Sequence, residues 1–387
     1  MENISRIKEK CVGCKSCEQS CPKHCISIGE NKEGFWYPIV DEKNCVECGK
    51  CLKTCPAENI EQHRNMPQTV WAWRNKNDAD IMKSASGGAA DSAAKAVLQM
   101  GGVVYGAACD EQLVVSHIEI ESNAEREKIQ SSKYVQSDPK YSYSKVKQRL
   151  AEGKKVLYTG TPCQIAGLYA FLGGDKPNLY TVDLICHGVP SQQMLYEHIN
   201  HILNGRSAER LSFRKGQSFH IELTDQYGTV YSSEPHRDMY YRAFWGGISY
   251  RESCYECPFA RRERVSDITI GDFWGLQDAA SLPLEISEGI SVLLPSSEKG
   301  KSLIAAAKSD MWIYERSVEE AVEGNTQLYR PVHNGLSARL LSMLYPCFPF
   351  DKAVRIVIVK DLILESLKNI LRSFKPVLMP IINVIRR

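Results

Sequence analysis

The sequence has almost no net charge. Lys and Arg number 48 against 46 Asp and Glu, a formal +2, so bulk charge gives no reason to expect nucleic acid or an acidic partner. No stretch approaches the ~18 uninterrupted apolar residues of a membrane-spanning helix. The opening residues, Met1-Glu2-Asn3-Ile4-Ser5-Arg6, carry neither the apolar core nor the small-residue cleavage site of a secretory leader. Nothing along the chain is patterned to read base edges or a phosphate backbone, and no nucleic-acid partner is expected. The expected location is the cytoplasm. The composition, 43% hydrophobic and 24% charged, is that of an ordinary globular protein, and 387 residues leave room for a small domain beside one or two larger ones.

Cysteine is what the chain has in excess: 15 residues, nine of them between Cys11 and Cys55. In a reducing cytosol, cysteines at short regular spacings point to metal rather than to disulfides. Cys11, Cys14, Cys17 and Cys21 precede Pro22; Cys45, Cys48, Cys51 and Cys55 precede Pro56, each 34 residues after its counterpart. This is a duplicated C-x2-C-x2-C-x3-C-P run, the spacing of bacterial two-cluster ferredoxins. Three closely spaced thiolates wrap three iron corners, and the fourth lies too far along its own run and serves the other cluster. One [4Fe-4S] cluster is therefore assigned to Cys11, Cys14, Cys17 and Cys55, the other to Cys45, Cys48, Cys51 and Cys21. Zinc is the competing reading, but zinc takes a single set of four ligands, usually as two pairs. Cys25 has no slot in the pattern and reads as a small buried residue. Two short strands, Cys25 to Ile28 and Phe35 to Val40, are expected between the runs. The domain is assigned to residues 1–62, and the polar stretch from Glu58 to Gln68 reads as its linker.

From Thr69 the pattern changes. Strands are expected at Thr69–Trp73, Val103–Ala108, Leu113–Ile120, Lys155–Tyr158 and Leu179–Ile185, and helices at Ala89–Gln99, Asn123–Gln130, Gln164–Leu172 and, capped by Ser191, on to about Leu203. Strand, helix, strand, helix at this spacing implies parallel strands. Cys163 and Cys186 then lie just past the carboxyl ends of two strands, the edge where open α/β sheets bind ligands. With Cys254 and Cys257 they make a set of four. A third [4Fe-4S] cluster is the sharp reading; a zinc knot or four unrelated thiols are the bland ones. Cys109 and Cys347 read as structural. The turn Ser84-Ala85-Ser86-Gly87-Gly88 before a helix is either a phosphate-binding turn or simply a cap.

Three segments carry a family resemblance: Gly160-Thr161-Pro162-Cys163-Gln164-Ile165-Ala166-Gly167-Leu168, Asp183-Leu184-Ile185-Cys186-His187-Gly188-Val189-Pro190-Ser191, and the stretch from Cys254-x2-Cys257 to Asp267-Ile268-Thr269-Ile270-Gly271-Asp272-Phe273-Trp274-Gly275. With them, residues 1 to about 320 resemble the coenzyme F420 hydrogenase/dehydrogenase beta-subunit family fused to a two-cluster ferredoxin. The resemblance implies FAD and an additional [4Fe-4S] cluster close to it, held by Cys163, Cys186, Cys254 and Cys257. It implies flavin contacts from Ser86, Gly87 and Gly88, from Ser132, Lys133 and Tyr134, and from Gly160, Thr161 and Pro162. His187 is expected as a proton relay or as a structural histidine, and Lys133 as a cation stabilising the reduced flavin.

The expected architecture is α/β (α+β over the whole chain). A small ferredoxin-like domain precedes a larger α/β flavin-binding domain in two parts, 69–150 and 151–330, and a helical basic tail, 331–387. The expected function is that of an iron–sulfur flavoprotein oxidoreductase, an enzyme passing electrons between ferredoxin-type clusters, FAD and a reducible substrate or hydride carrier. The alternative is an electron-transfer subunit with no substrate of its own. Expected partners are a ferredoxin-like redox protein and a small molecule; self-association is left open. From Lys352 to Arg387 there are eight Lys or Arg against Asp361 and Glu365, with helical apolar spacing from Leu364 to Phe374. This tail either docks on the protein's own core, the favoured reading, or lies peripherally on the inner membrane surface.

Overall fold

The computed structural model describes residues 3–59, 65–276 and 289–360. The internal repeat of the sequence becomes a pseudo-twofold fold. Lys15 and Gly49, 34 positions apart, both take left-handed backbone and start the short helices Ser16–Ser20 and Lys50–Lys53. Ser20 and Thr54, again 34 apart, meet across the pseudo-axis through their hydroxyls at 2.9 Å. Strands β1 (Ile26–Glu30) and β2 (Trp36–Val40) pair antiparallel. Asn31 holds the turn between them, its Oδ1 accepting from the N–H groups of Glu33 and Phe35. Cysteine sulfurs pack with Ile4, Ile7 and Ile26 in a core of their own.

The larger part of the chain is built on an eight-stranded sheet. Its strands are β3 (Val70–Asn75), β4 (Val103–Cys109), β5 (Val115–Ile120), β6 (Val156–Gly160), β7 (Leu179–Leu184), β11 (Ile268–Asp272), β12 (Ser291–Pro295) and β13 (Met311–Arg316), in the order β13-β3-β12-β11-β7-β6-β4-β5. The middle is parallel, as expected: β4 pairs β6, β6 pairs β7 and β7 pairs β11. Antiparallel strands flank it on both sides. Period-2 alternation divides the apolar residues between two faces. Val156 and Tyr158 enter the core under the helices Ser142–Ala151 and Pro162–Leu172, and Leu157 enters the core under Ala89–Gln99 and Glu298–Ala307. One sheet thus draws strands from both 69–150 and 151–330.

Three differences from the sequence reading have physical causes. The stretch Asn123–Lys128 is a 3-10 helix rather than an α-helix; it has no apolar face to bury. The helix expected from Gln164 starts at Pro162. Pro at the first position needs no N–H partner, and Thr161 with Gln164 forms a capping box. The third difference is a meander that the sequence reading passed over: β8 (Arg210–Lys215), β9 (Ser218–Asp225) and β10 (Gly228–Ser233) form a separate sheet.

The first part of the basic tail docks on the protein's own core. Residues 350–360 are helical, and Phe350, Ala353, Val354 and Val357 are buried against Leu195, Ile199 and Tyr240. The expected helix from Leu364 to Phe374 lies outside the described residues. No helix among the described residues is long and apolar enough to cross a membrane.

Candidate functional site

The eight N-terminal cysteines divide in space along the crossed pattern. Cys11, Cys14, Cys17 and Cys55 line one cavity, and Cys21, Cys45, Cys48 and Cys51 line another, each of about 370 Å³. The first lies toward the large domain; Cys48 of the second is open to solvent. Among the described residues no group of three or more His, Cys, Asp or Glu side chains converges tightly enough for a single metal ion. The sulfurs line the walls of these two spaces rather than meeting at one point. Cys25 is buried, as expected, but it also lines the second cavity, its Sγ 3.4 Å from that of Cys21.

Cys163, Cys186, Cys254 and Cys257 come together around a third cavity of about 710 Å³. Cys163 sits in the first turn of Pro162–Leu172, just beyond β6. Cys186 lies two residues beyond β7, and Cys254 belongs to the short helix Glu252–Tyr255. Burial pushes the Cys163 thiol up to about 11, burial with the neighbouring sulfurs pushes Cys254 to about 12, and the same causes hold Cys186 well above the ordinary thiol value. Buried thiols so placed ionise together only with a metal countercharge, so the donor set fits a cluster.

A fourth cavity, about 1210 Å³, opens at the carboxyl ends of the parallel strands. Ser86, Gly88, Ser132, Lys133, Tyr134, Gly160 and Thr161 all line it. Gly87 does not. Its N–H donates to Ser291 Oγ at 2.8 Å, and a Cβ there would run into the Trp73 carbonyl, so it is a packing glycine behind the wall. Pro162 and His187 face the cysteine cavity instead. His187 is exposed there; desolvation lowers its pKa while the charge of Asp272 pulls the other way.

The features of this cleft suit a flavin dinucleotide. Three of its lining atoms, Ser84 Oγ, Asp91 Oδ1 and Gln130 Oε1, are buried without a hydrogen-bond partner. The helix Ala89–Gln99 begins at the wall on Gly88 with no side-chain cap, the arrangement that receives phosphate. Leu184, 42% exposed, offers an apolar surface to the opening. Ser86 and Ser131 hold left-handed backbone, φ 55 and 66. Lys133 Nζ donates to the Gln130 carbonyl at 2.5 Å, and burial drops its pKa to about 8.

The cavities adjoin in sequence. Ser137, Thr161 and Gln164 line both the cleft and the cysteine quartet. Val12 lines both the quartet and the inner ferredoxin cavity. The family comparison bears on both ends of this series. Residues 153–321 match the C-terminal model of the coenzyme F420 hydrogenase/dehydrogenase beta subunit, and residues 10–59 match a 4Fe-4S dicluster domain. Residues 153–321 thus carry the C-terminal region of that family, behind an N-terminal ferredoxin domain. The chain is an iron–sulfur electron-transfer protein whose N-terminal domain binds 4Fe-4S clusters. A chain of the F420-reducing [NiFe] hydrogenase complex from Methanosarcina barkeri is similar at 19% identity with a TM-score of 0.46, covering 80% of this chain and 94% of that one. No curated protein matches in sequence.

Several residues of this F420 hydrogenase/dehydrogenase beta-type site escaped the sequence reading. His117 lines the cleft, stacked on Tyr158 with ring centroids 4.9 Å apart. Its Nε2 donates to the Thr159 carbonyl at 2.9 Å, and its Nδ1 accepts from Ser137 Oγ at 2.6 Å, which keeps the ring neutral; burial lowers its pKa to about 4. Two of the three signature aspartates, Asp183 and Asp267, are structural, whereas Asp272 lines the cleft and pairs with Arg214 at 2.9 Å. Asp183 accepts from Thr269 Oγ1 at 2.5 Å and pairs with Arg264 at 3.3 Å, and Asp267 Oδ2 accepts from the Thr181 N–H at 2.8 Å. Together they lock β7 to β11 beneath the quartet. Asp183, inside the expected strand Leu179–Ile185, was the available signal, since a buried carboxylate needs a partner. Cys109 is half-buried at the end of β4, in keeping with a structural role, whereas Cys347 is exposed.

Proposed function

We propose that this protein is an iron–sulfur flavoprotein oxidoreductase that passes electrons between two [4Fe-4S] clusters in its N-terminal domain, a third cluster at Cys163, Cys186, Cys254 and Cys257, and FAD in the adjoining cleft, and from there to a reducible substrate or hydride carrier. The observation that carries the reading is the series of adjoining cavities, with Val12 as one shared wall and Ser137, Thr161 and Gln164 as the next. A flavin exchanges electrons in pairs or singly and a cluster only singly, so placing them side by side joins hydride chemistry to one-electron transfer. The chain's own part is placement. Cys11, Cys14, Cys17 and Cys55, with Cys21, Cys45, Cys48 and Cys51, hold the ferredoxin clusters. Ser86, Gly88 and the N-terminus of Ala89–Gln99 receive the phosphates. Ser132, Tyr134, Gly160 and Thr161 form the walls, and Lys133 supplies positive charge. His187, exposed near Asp272, serves as the proton relay. The working location is the cytoplasm, with a ferredoxin-like protein as redox partner.

Anaerobic purification with iron, acid-labile sulfide and flavin counted per chain tests this. About twelve iron and one flavin are expected for three four-iron clusters; about eight iron without flavin would overturn it. A second reading, an electron-transfer subunit serving a partner enzyme, is favoured by the family's description as a beta subunit. Turnover of a small molecule by the purified chain alone separates the two.

A further inference from the structure

A single side chain spans the ferredoxin domain and the third cysteine cavity. Arg251 is 1% exposed, and a guanidinium stays charged even there. Its Nε donates to the Cys11 carbonyl at 2.5 Å and its Nη2 to the Trp36 carbonyl at 2.7 Å. Its guanidinium lies 4.4 Å from the centroid of the Tyr37 ring. All these contacts come from the ferredoxin domain. The third nitrogen, Nη1, is buried with no hydrogen-bond partner. Arg251 lines the cavity of Cys163, Cys186, Cys254 and Cys257, and a Cβ built on Gly13 would come within 3.2 Å of Nη1. The neighbouring Glu252 carboxylate acts on Arg251 electrostatically, but no described carboxylate is close enough to form an ion pair with it.

A buried cation without a counter-ion is costly. A four-iron cluster held by four thiolates is an anion, and its potential follows the charges and hydrogen bonds around its sulfurs. We propose that Arg251 is a positioning residue that couples two redox sites: gripped by the Cys11 and Trp36 carbonyls, it presents Nη1 to the third cluster and raises that cluster's reduction potential. The inference rests on the third-cluster reading above. The more negative, reduced cluster gains more from a nearby positive charge than the oxidised one does. Lysine has the charge but not the fork that holds two carbonyls while a third nitrogen points elsewhere.

The test is a redox titration followed by electron paramagnetic resonance on the full chain, purified anaerobically, as wild type, Arg251→Met and Arg251→Lys, with iron counted in each. In Arg251→Met with full iron, the third cluster should be harder to reduce. At the wild-type midpoint, the ratio of reduced to oxidised cluster should fall about tenfold, which is 59 mV for a one-electron couple. The outer ferredoxin cluster at Cys21, Cys45, Cys48 and Cys51 should not move, and Arg251→Lys should fall between the other two. An unchanged third-cluster potential in Arg251→Met, or an equal shift in all three clusters, would overturn the proposal. If Arg251→Met fails to load its third cluster, Arg251→Lys decides: a potential below wild type supports the coupling, and one equal to wild type refutes it. A wild-type chain with only about eight iron would fail the third-cluster reading itself, and the coupling with it.

Discussion

Replacing Gly167 by alanine sets two effects of known size against each other. Gly167 lies inside the helix Pro162–Leu172. In an ordinary helix interior the change stabilises by roughly 1 kcal/mol, because glycine has more backbone freedom to lose. Here the new Cβ would stand 2.9 Å from Cys14 Sγ, 3.1 Å from Cys14 Cβ and 3.3 Å from the Tyr143 hydroxyl. None of these neighbours gives way easily. Cys14 is a short buried side chain in the inner ferredoxin set, and Tyr143 is tied through its hydroxyl to the Gln164 carbonyl at 2.9 Å. Overpacking of this kind costs about 1–3 kcal/mol. The net expectation is a loss of up to about 2 kcal/mol for Gly167→Ala, and more for Gly167→Val, which adds volume and a β-branch. The assay is the temperature at which iron–sulfur absorbance is lost, with iron per chain and hydrogen exchange over residues 162–172. Both variants should lose absorbance earlier, valine before alanine. A Gly167→Ala protein that keeps full iron and melts above wild type would show that the ferredoxin domain does not press on this helix.

Cys186→Ser should remove about a third of the iron, four of about twelve atoms, and leave the spectrum of the N-terminal domain intact; loss of more than that would mean the sets are not independent. Lys133→Met should leave iron and flavin content unchanged and shift the flavin potential downward. Because burial drops Lys133 to about 8, the gap between variant and wild type should close as pH rises past that value, and a gap constant with pH would refute its origin in charge. For His198, burial opposes the charge, but hydrogen bonds to Asp238 at 2.9 Å and Asp351 at 3.0 Å outweigh it and raise the pKa to about 9. A raised folded pKa stabilises fully below the unfolded value of about 6.5, and the contribution is lost as pH climbs to about 9. Hydrogen exchange in residues 350–360 should therefore accelerate across that window, and Asp351→Asn should flatten the response.

What could be read from the residues was whatever depends on spacing. The 34-residue repeat of cysteines predicted the two sets that line the ferredoxin cavities, including the exchange of Cys21 and Cys55, because the reach of a short loop is a local property. The parallel centre of the sheet was legible for the same reason: β6, the helix after it and β7 follow one another directly. Contacts between distant segments were not legible. The meander β8–β10 was passed over although β9 alternates Phe219, Ile221 and Leu223 with His220 and Glu222; its strands pack through Phe213, Ile221 and Leu223 against helices well separated in the chain. Arg251 shows no pattern in the sequence, since its partners, Cys11 and Trp36, are more than 200 residues away. Gly87 could not be told from Gly88 without the Trp73 carbonyl behind it.

The polar stretch between the two domains suggested a tether, and the structure argues against one. Asn65 pairs with Arg264 through both backbone groups, at 2.9 and 2.8 Å, so part of that stretch is bound to the large domain. The seam itself is specific. Lys15 meets Asp138 at 2.7 Å with both side chains largely shielded, Gln136 donates to the Val12 carbonyl at 3.2 Å, and Ser253 to the Cys11 carbonyl at 3.0 Å. Ser191, which caps its own helix, also donates to the Glu33 carbonyl at 2.6 Å. Phe35 belongs to the ferredoxin hairpin yet is buried in the core of the large domain beside Met194, Leu195 and Phe350. Burial of one such side chain stabilises by about 1.5–3 kcal/mol, more than a surface ion pair of up to about 1 kcal/mol. A swinging carrier domain would have to expose Phe35 and break the Arg251 fork on every cycle. A fixed domain needs neither, and it holds the inner cysteine set against Val12 at a constant separation from the third cavity, which is the condition for electron transfer between them without domain motion.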